Sequence, residues 1–170
     1  LQDGRGQVRN SPFYEKIGGV YRMKKVVLVP DSFKGTLSSV RICELCERKI
    51  HEHFPACEVV AVPVADGGEG SVDCFLAAMG GERVCVPSKN PFMEDMPGFY
   101  GIFSDGGVKT AVIEMAACAG LPLVETRKDA MRATTFGVGL LILDSLKRGC
   151  KRIIIGLGGS ATTDMGLGAV

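Results

Sequence analysis

The chain has 170 residues, of which 46% are hydrophobic and 23% charged, and its net charge is +1 at pH 7. This composition is that of an ordinary globular protein with enough apolar residues for a sizeable core, and the near-neutral charge gives no sign of nucleic acid or of an acidic partner. The longest apolar runs are far too short to cross a membrane.

Residues 1–22 lack the long apolar stretch of a secretory signal. Met23-Lys24-Lys25, followed at once by an apolar run, has the pattern of a natural start. We therefore interpret residues 1–22 as a tag, a mistranslated upstream stretch or a disordered tail, and residues 23–170 as the folded part.

From residue 23 onward, the pattern predicts strands that alternate with helices. The predicted elements are strand 24–30, helix 38–54, strand 58–64, helix 70–79, strand 82–87, a hairpin of strands 98–104 and 108–115, helix 138–147 and strand 151–155. Such alternation predicts an α/β fold with a mixed, largely parallel sheet and flanking helices. The chain stops where a helix is expected to follow the last loop, and this predicts a truncated chain.

Seven cysteines are scattered through the predicted helices and strands. An odd, dispersed set is typical of free thiols in a reducing compartment, which predicts a cytoplasmic location. Cys43-x-x-Cys46 falls inside a helix rather than at its start, so we interpret it as core packing and not as a redox pair. His51 and His53 do not complete a zinc site.

Three predicted strands run directly into loops of glycine, aspartate and small hydroxyl residues, at 30–35, 65–71 and 156–164. Ligands bind beyond the carboxyl ends of strands in open α/β sheets, and glycine lets backbone N–H groups approach an anion closely. A carboxylate beside such a cradle suits a Mg²⁺-bound phosphate. Three such loops, each with its own aspartate, predict a phosphoryl-transfer site.

The first two loops carry the acidic and basic candidates. Asp31, Ser32 and Lys34 follow the first strand, where a flexible lysine suits a phosphate or a carboxylate, although a solvated turn would have the same composition. The second loop, Asp66-Gly67-Gly68-Glu69-Gly70, has two acids that suit a cation or a general base. An acidic first helical turn is the structural alternative for this loop.

The third loop admits two interpretations. Residues 156–161 fit the G-x-G-x-x-A dinucleotide fingerprint, which would indicate a nicotinamide-dependent dehydrogenase. The fingerprint lies unusually late in the chain, however, and the loop is rich in hydroxyl groups. These features favour a phosphate or carboxylate cradle, with a purely structural turn as the other alternative.

Two further segments supply candidates. Thr134 and Thr135 open a helix, where their hydroxyl groups would bind an oxyanion or simply cap the helix. Glu114 lies in an otherwise apolar strand, and a buried acid needs a partner or a ligand. The sequence lacks a GxxxxGK[ST] motif, which excludes an ordinary P-loop kinase within this stretch.

Taken together, the segments at 29–38, 65–73, 110–116, 120–121, 134–137 and 155–162 resemble the glycerate kinases of the bacterial type I family. The resemblance covers residues 24–168 in the family's order. It implies ATP-dependent phosphorylation of glycerate, usually to the 2-phosphate, with Mg²⁺. It also implies two α/β domains, one of them flavodoxin-like, with the site in the cleft between them. Family members are roughly twice as long, which implies that this chain is an N-terminal part. We expect this part to be inactive alone, because its last loop needs a following helix for its anion-binding N-terminus and only a few residues of that helix remain. Met165 stands where the family often has glycine.

The candidate residues then receive roles. Loops 66–70 and 156–163 are expected to face one cleft, where Asp66 or Asp164 deprotonates the glycerate hydroxyl and the other helps to hold Mg²⁺. Lys34 neutralises charge on the transferring phosphoryl group. The residues expected to contact substrate or phosphate are Asp31, Ser32, Gly67, Gly68, Glu69, Glu114, Thr134, Thr135, Gly158, Gly159, Ser160, Thr162 and Thr163. The non-enzymatic alternative is a small-ligand-binding fragment without turnover.

Overall fold

The computed structural model describes residues 14–17 and 20–170. Its elements, in chain order, are β1 (Tyr14–Ile17), β2 (Val20–Met23), β3 (Lys25–Leu28), α1 (Ser39–His53), β4 (Glu58–Ala61), α2 (Ser71–Met79), β5 (Glu82–Lys89), β6 (Asp95–Asp105), β7 (Val108–Glu114), α3 (Ala116–Ala119), α4 (Phe136–Lys147) and β8 (Arg152–Gly156). Short 3₁₀ turns lie at Leu121–Val124 and Leu167–Ala169. The predicted α/β class with flanking helices is confirmed.

The largest sheet has four strands in the order β5-β6-β7-β8. The pairs β5–β6 and β6–β7 are antiparallel, whereas β7 and β8 are parallel. The predicted hairpin joins β6 to β7 through Gly106 and Gly107, whose φ angles of 58° and 80° match a two-residue hairpin turn. Because β7 and β8 are parallel, their carboxyl ends lie at one edge, where Glu114 is paired with Gly156.

The core lies on both faces of this sheet. On one face, Ala111 and Ile113 of β7 pack with Val138 and Leu141 of α4. On the other face, Val112 packs with Val72 of α2. Burial on both faces explains why β7 has a continuous apolar run in place of alternating polarity.

Two smaller sheets complete the described chain. β3 and β4 pair in parallel, and β1 and β2 pair antiparallel. The continuous apolar run at 24–30 predicts a buried strand, whereas Val27 and Val29 are 47% and 58% exposed. Among the described strands, β3 has β4 as its one partner.

The sequence pattern assigned no element to residues 1–22. The described part of this segment forms β1 and most of β2, and Lys24 Nζ lies 3.0 Å from a Glu15 carboxylate oxygen. Residues 1–13 and 18–19 lie outside the described residues, and the interpretation of the segment as a tag or tail stays a prediction. Within the described ranges, no helix is both long and apolar enough to span a membrane.

The helix ends show how neighbouring loops are fixed. Serine is a favoured residue just before a helix, and Ser38 caps α1 by accepting a hydrogen bond from Arg41 N–H at 3.2 Å. Gly70 precedes α2 with a φ of 91° and supplies no side chain to cap it. The cap of α2 must therefore come from another element.

Candidate active site

The second and third glycine-rich loops cross each other, backbone against backbone. Gly158 N–H donates a 2.9 Å hydrogen bond to the carbonyl of Gly67. A Cβ atom on Gly158 would lie 2.6 Å from the Gly68 nitrogen, and one on Gly156 would collide with the Gly67 carbonyl oxygen. Only glycine therefore permits this approach, and the structure places the two loops in direct contact.

Asp66 stands beside this crossing with an exposed carboxylate. Its Oδ1 accepts the Gly68 N–H at 2.9 Å, and its Oδ2 lies 3.4 Å from Lys34 Nζ. The Gly68 N–H and then the Lys34 charge hold the pKa of Asp66 below its ordinary value, so the carboxylate is ionised at neutral pH. Because both side chains of the pair are largely exposed, the pair contributes little to stability and leaves Lys34 available to a ligand.

A cavity of about 400 Å³ lies between the first loop and the start of α2. Lys34, Glu69 and Glu114 contribute to its lining. Arg83 also lines it, but its guanidinium is held by Asp73 at 2.8 Å. Lys34 is thus the more available cation at this cavity.

Asp164 has a different environment. Its Oδ2 accepts hydrogen bonds from the N–H and hydroxyl of Thr135, both at 2.8 Å, from the Thr134 hydroxyl at 3.3 Å and from Gly168 N–H at 3.2 Å. Its Oδ1 accepts one from Gly166 N–H at 3.2 Å. Partial burial opposes ionisation, but these hydrogen bonds outweigh it and hold the pKa of Asp164 below its ordinary value. Asp164 therefore ties the last loop to the start of α4.

Glu114 is 2% exposed at the end of β7. Its Oε2 accepts the Val72 N–H at 3.1 Å, in the first turn of α2. Burial raises the pKa of Glu114, although the Val72 N–H opposes this change. The buried carboxyl group of Glu114 thus has its hydrogen-bond partner at the N-terminus of α2.

The glycerate kinase family model matches residues 26–170. The chain belongs to the glycerate kinase family. It is 46% identical over 147 residues to a glycerate 2-kinase of Escherichia coli (strain K12), an alignment that covers 86% of this chain and 38% of the relative. It is 44% identical over 145 residues to a glycerate kinase of Bacillus cereus, covering 85% and 38%.

A solved structure gives the same result for the fold. The crystal structure of a proposed glycerate kinase 2 from Salmonella typhimurium LT2 matches with a TM-score of 0.71 and 39% identity. This match covers 86% of the present chain and 39% of the other. The chain thus spans less than two fifths of the length of these glycerate kinases.

The structure brings one group of predicted site residues together around Asp66. Gly67, Gly68 and Gly158 form the crossing, and Lys34 contacts Asp66. Ser32 and Glu69 line the same cavity as Lys34. Asp31 lies on the first loop, where its Oδ1 accepts the N–H of Ser32 at 2.6 Å. The roles assigned to these residues stay predictions.

A second group gathers around Asp164, with its own partners. Thr134 and Thr135 donate to Asp164 rather than pointing to an open cradle. The Ser160 and Thr162 hydroxyl groups lie 3.1 Å apart, and the Thr163 hydroxyl donates to the Ala130 carbonyl at 3.1 Å. These hydroxyl groups thus have partners inside the chain.

The third loop does not have the form of a dinucleotide fingerprint. Such a fingerprint opens an α-helix, whereas residues 157–166 are irregular and lead only to the 3₁₀ turn Leu167–Ala169. The expected helix is therefore not formed in the described chain, where Asp164 holds the segment against α4. The comparisons give the dehydrogenase interpretation no support.

The sequence did not point to Arg83 and Phe99 as lining residues. They come from β5 and β6, and Arg83 stacks over the Phe99 ring at 4.1 Å from its centre. Their proximity follows from strand pairing, in which Arg83 lies opposite Gly101, and no spacing in the sequence indicates it.

Proposed function

We propose that the complete protein transfers the γ-phosphoryl group of ATP to a hydroxyl of glycerate, with 2-phosphoglycerate as the product. Membership of the glycerate kinase family supports the reaction class, and the relative named glycerate 2-kinase supports the position. The crossing of two glycine-rich loops beside an ionised Asp66 is the structural observation that carries the proposal.

In this proposal, Asp66 accepts the proton of the reacting hydroxyl through Oδ2. The Gly68 N–H donates to Oδ1 and so orients the carboxylate, which leaves Oδ2 available for the proton. Lys34 leaves its weak contact with Asp66 and neutralises charge on the transferring group. Phosphoryl transfer depends mainly on positioning and charge neutralisation, which these two residues supply.

The third loop supplies backbone donors. Gly159 has a φ of 70°, and its carbonyl accepts the Leu121 N–H at 2.9 Å. Within the described chain, the N–H groups of Gly159 and Ser160 donate to no other residue. In the proposal they hold a phosphate or the glycerate carboxylate, since adjacent N–H groups in such loops form anion cradles.

The carboxylates fit Mg²⁺ bound together with a nucleotide. No cluster of three or more His, Cys, Asp or Glu side chains suited to a metal occurs in the described ranges. Mg²⁺ usually takes one or two protein carboxylates and completes its coordination with substrate phosphates and water. Glu69, exposed on the same loop as Asp66, fits that requirement better than Asp164, whose Oδ2 accepts four hydrogen bonds. When bound, Mg²⁺ neutralises the charge of the phosphates.

The test is a coupled measurement of ADP release by the complete protein with glycerate, ATP and Mg²⁺. The expected result is ADP release that depends on glycerate, with a phosphorus NMR doublet from the single proton on C2 of the product. A triplet would assign the 3-phosphate, and binding of glycerate without ADP release would support the ligand-binding alternative. A cytoplasmic location stays a prediction, which fractionation of the source cells tests.

A further inference from the structure

One buried carboxyl group connects both glycine-rich loops to the central sheet. Glu114 ends β7 and is paired in register with Gly156, the last residue of β8. The next residue, Met115, donates its N–H to the Gly156 carbonyl at 2.9 Å. The backbone around Glu114 thus fixes the point where the third loop begins.

The side chain of Glu114 reaches the other loop. Its Oε2 accepts the Val72 N–H at 3.1 Å, two residues beyond Gly70. The first N–H groups of a helix have no partner within it, and Gly70 has no side chain to offer. Glu114 therefore supplies from β7 a cap that the local sequence of α2 lacks.

The loop before α2 needs such an anchor. Three of the five residues 66–70 are glycines, which have no side chain to restrict the backbone conformation. Besides the exposed contact of Asp66 with Lys34, two backbone hydrogen bonds join this region to other segments: Gly158 N–H to the Gly67 carbonyl, and Val72 N–H to Glu114. Asp66 lies between β4 and these two hydrogen bonds, so they restrict the position of its backbone.

We infer that Glu114 is a positioning residue, which holds the loop of residues 66–70 against the loop that begins at Gly156 and so aims Asp66 at the reacting hydroxyl. The kinetic part of this inference rests on the proposed function, whereas the structural part does not. The geometry uses Glu114 as a hydrogen-bond acceptor, so an amide oxygen at the same place is sufficient.

The test compares Glu114→Met, which has no acceptor oxygen, with Glu114→Gln, which keeps one. Tyr100→Phe is the matched control, because Tyr100 is a buried residue of β6 in the same sheet and its hydroxyl donates a partly buried 2.7 Å hydrogen bond to Asp144 of α4. Each variant of the complete protein is measured for amide hydrogen exchange in the peptide that covers residues 66–72, and for kcat and KM with glycerate.

The Met variant is expected to exchange this peptide about tenfold faster, because a buried hydrogen bond is lost. Its kcat is expected to fall about tenfold or more, with a smaller change in KM, because a displaced catalytic group slows the chemical step. The Gln variant and Tyr100→Phe should both stay within about threefold of the wild type in exchange and in kcat. If the Met variant does not fold, Glu114→Asp, which withdraws the carboxyl by one methylene, replaces it.

Two results would overturn the inference. The first is a Met or Asp variant with wild-type exchange and wild-type kcat. The second is a Gln variant with restored exchange but a kcat as low as that of the Met variant, which would assign the Glu114 charge directly to the chemistry. If the wild-type protein phosphorylates no glycerate, the proposed function fails, while the exchange measurement still decides the anchoring role.

Discussion

Replacing Gly156 by alanine tests the loop crossing directly. The added Cβ would lie 3.0 Å from the Gly67 carbonyl carbon and 3.2 Å from the Gly67 Cα, and closer still to the carbonyl oxygen. All three atoms belong to backbone, so no side chain can move aside. The loops must separate by on the order of 1 Å to restore ordinary contact distances.

The cost follows from the atoms involved. Overpacking of this kind costs about 1–3 kcal/mol, and separation also loses the bond from Gly158 N–H to the Gly67 carbonyl, worth about 1 kcal/mol. The free energy of unfolding should therefore fall by about 2–4 kcal/mol. Because Asp66 moves with its loop, kcat should fall about 100-fold.

Gly106→Ala is the control for this substitution. Gly106 has a φ of 58° with open space around it, so alanine there costs only the left-handed strain of about 1–2 kcal/mol. Urea unfolding followed by far-UV circular dichroism measures stability, and the coupled ADP assay measures kcat. The reasoning is refuted if Gly156→Ala keeps the kcat of Gly106→Ala, since the loops would then not need their contact.

Three further substitutions test the roles of Lys34, Asp164 and Met165. Lys34→Met should lower kcat/KM at least about tenfold with unchanged thermal stability, because the side chain is exposed, and Lys34→Arg should not restore it fully; full activity of the Met variant would remove Lys34 from the site. Asp164→Ala should cost about 1–2 kcal/mol at neutral pH by removing the hydrogen bonds that Thr134 and Thr135 donate at the start of α4. Since the folded pKa of Asp164 lies below its ordinary value of 3.8, this difference should shrink as the pH falls below that value, and a difference that grows in acid would contradict it. Met165→Gly should stabilise the protein by up to about 1 kcal/mol by relieving a φ of 52°, as measured by urea unfolding, and a loss of stability would argue against strain there.

Much of the fold follows from local patterns. The continuous apolar run in β7, the Gly106-Gly107 turn and the Ser38 cap each predict their element, because each depends on neighbours in sequence. Helix α4 begins at Phe136, two residues before the start at residue 138 that its apolar pattern predicts. Its Thr135 is held by Asp164, about 30 residues later in the chain, and no local pattern contains that contact.

The sequence also predicts part of the site, because loop composition is a local pattern. The rule that ligands bind at the carboxyl ends of strands indicates loops 65–71 and 156–164 as site loops. The structure brings these loops into contact although β4 and β8 lie in different sheets, which the rule does not foresee. Composition did not separate the two aspartates of these loops, since both stand among glycines. Their difference lies in hydrogen bonds formed by the fold: Asp66 keeps an exposed oxygen near Lys34, whereas Asp164 is occupied by Thr134, Thr135 and two glycines.

The most direct test of the central claim, that Asp66 is the acting carboxylate, compares Asp66→Asn with Asp164→Asn in the complete protein. Both amides keep an acceptor oxygen, and circular dichroism confirms that both variants are folded. With saturating ATP, Mg²⁺ and glycerate, we expect a kcat loss of at least about 100-fold for Asp66→Asn and of less than about tenfold for Asp164→Asn. Near-normal kcat for Asp66→Asn, or a larger loss for Asp164→Asn, would contradict it.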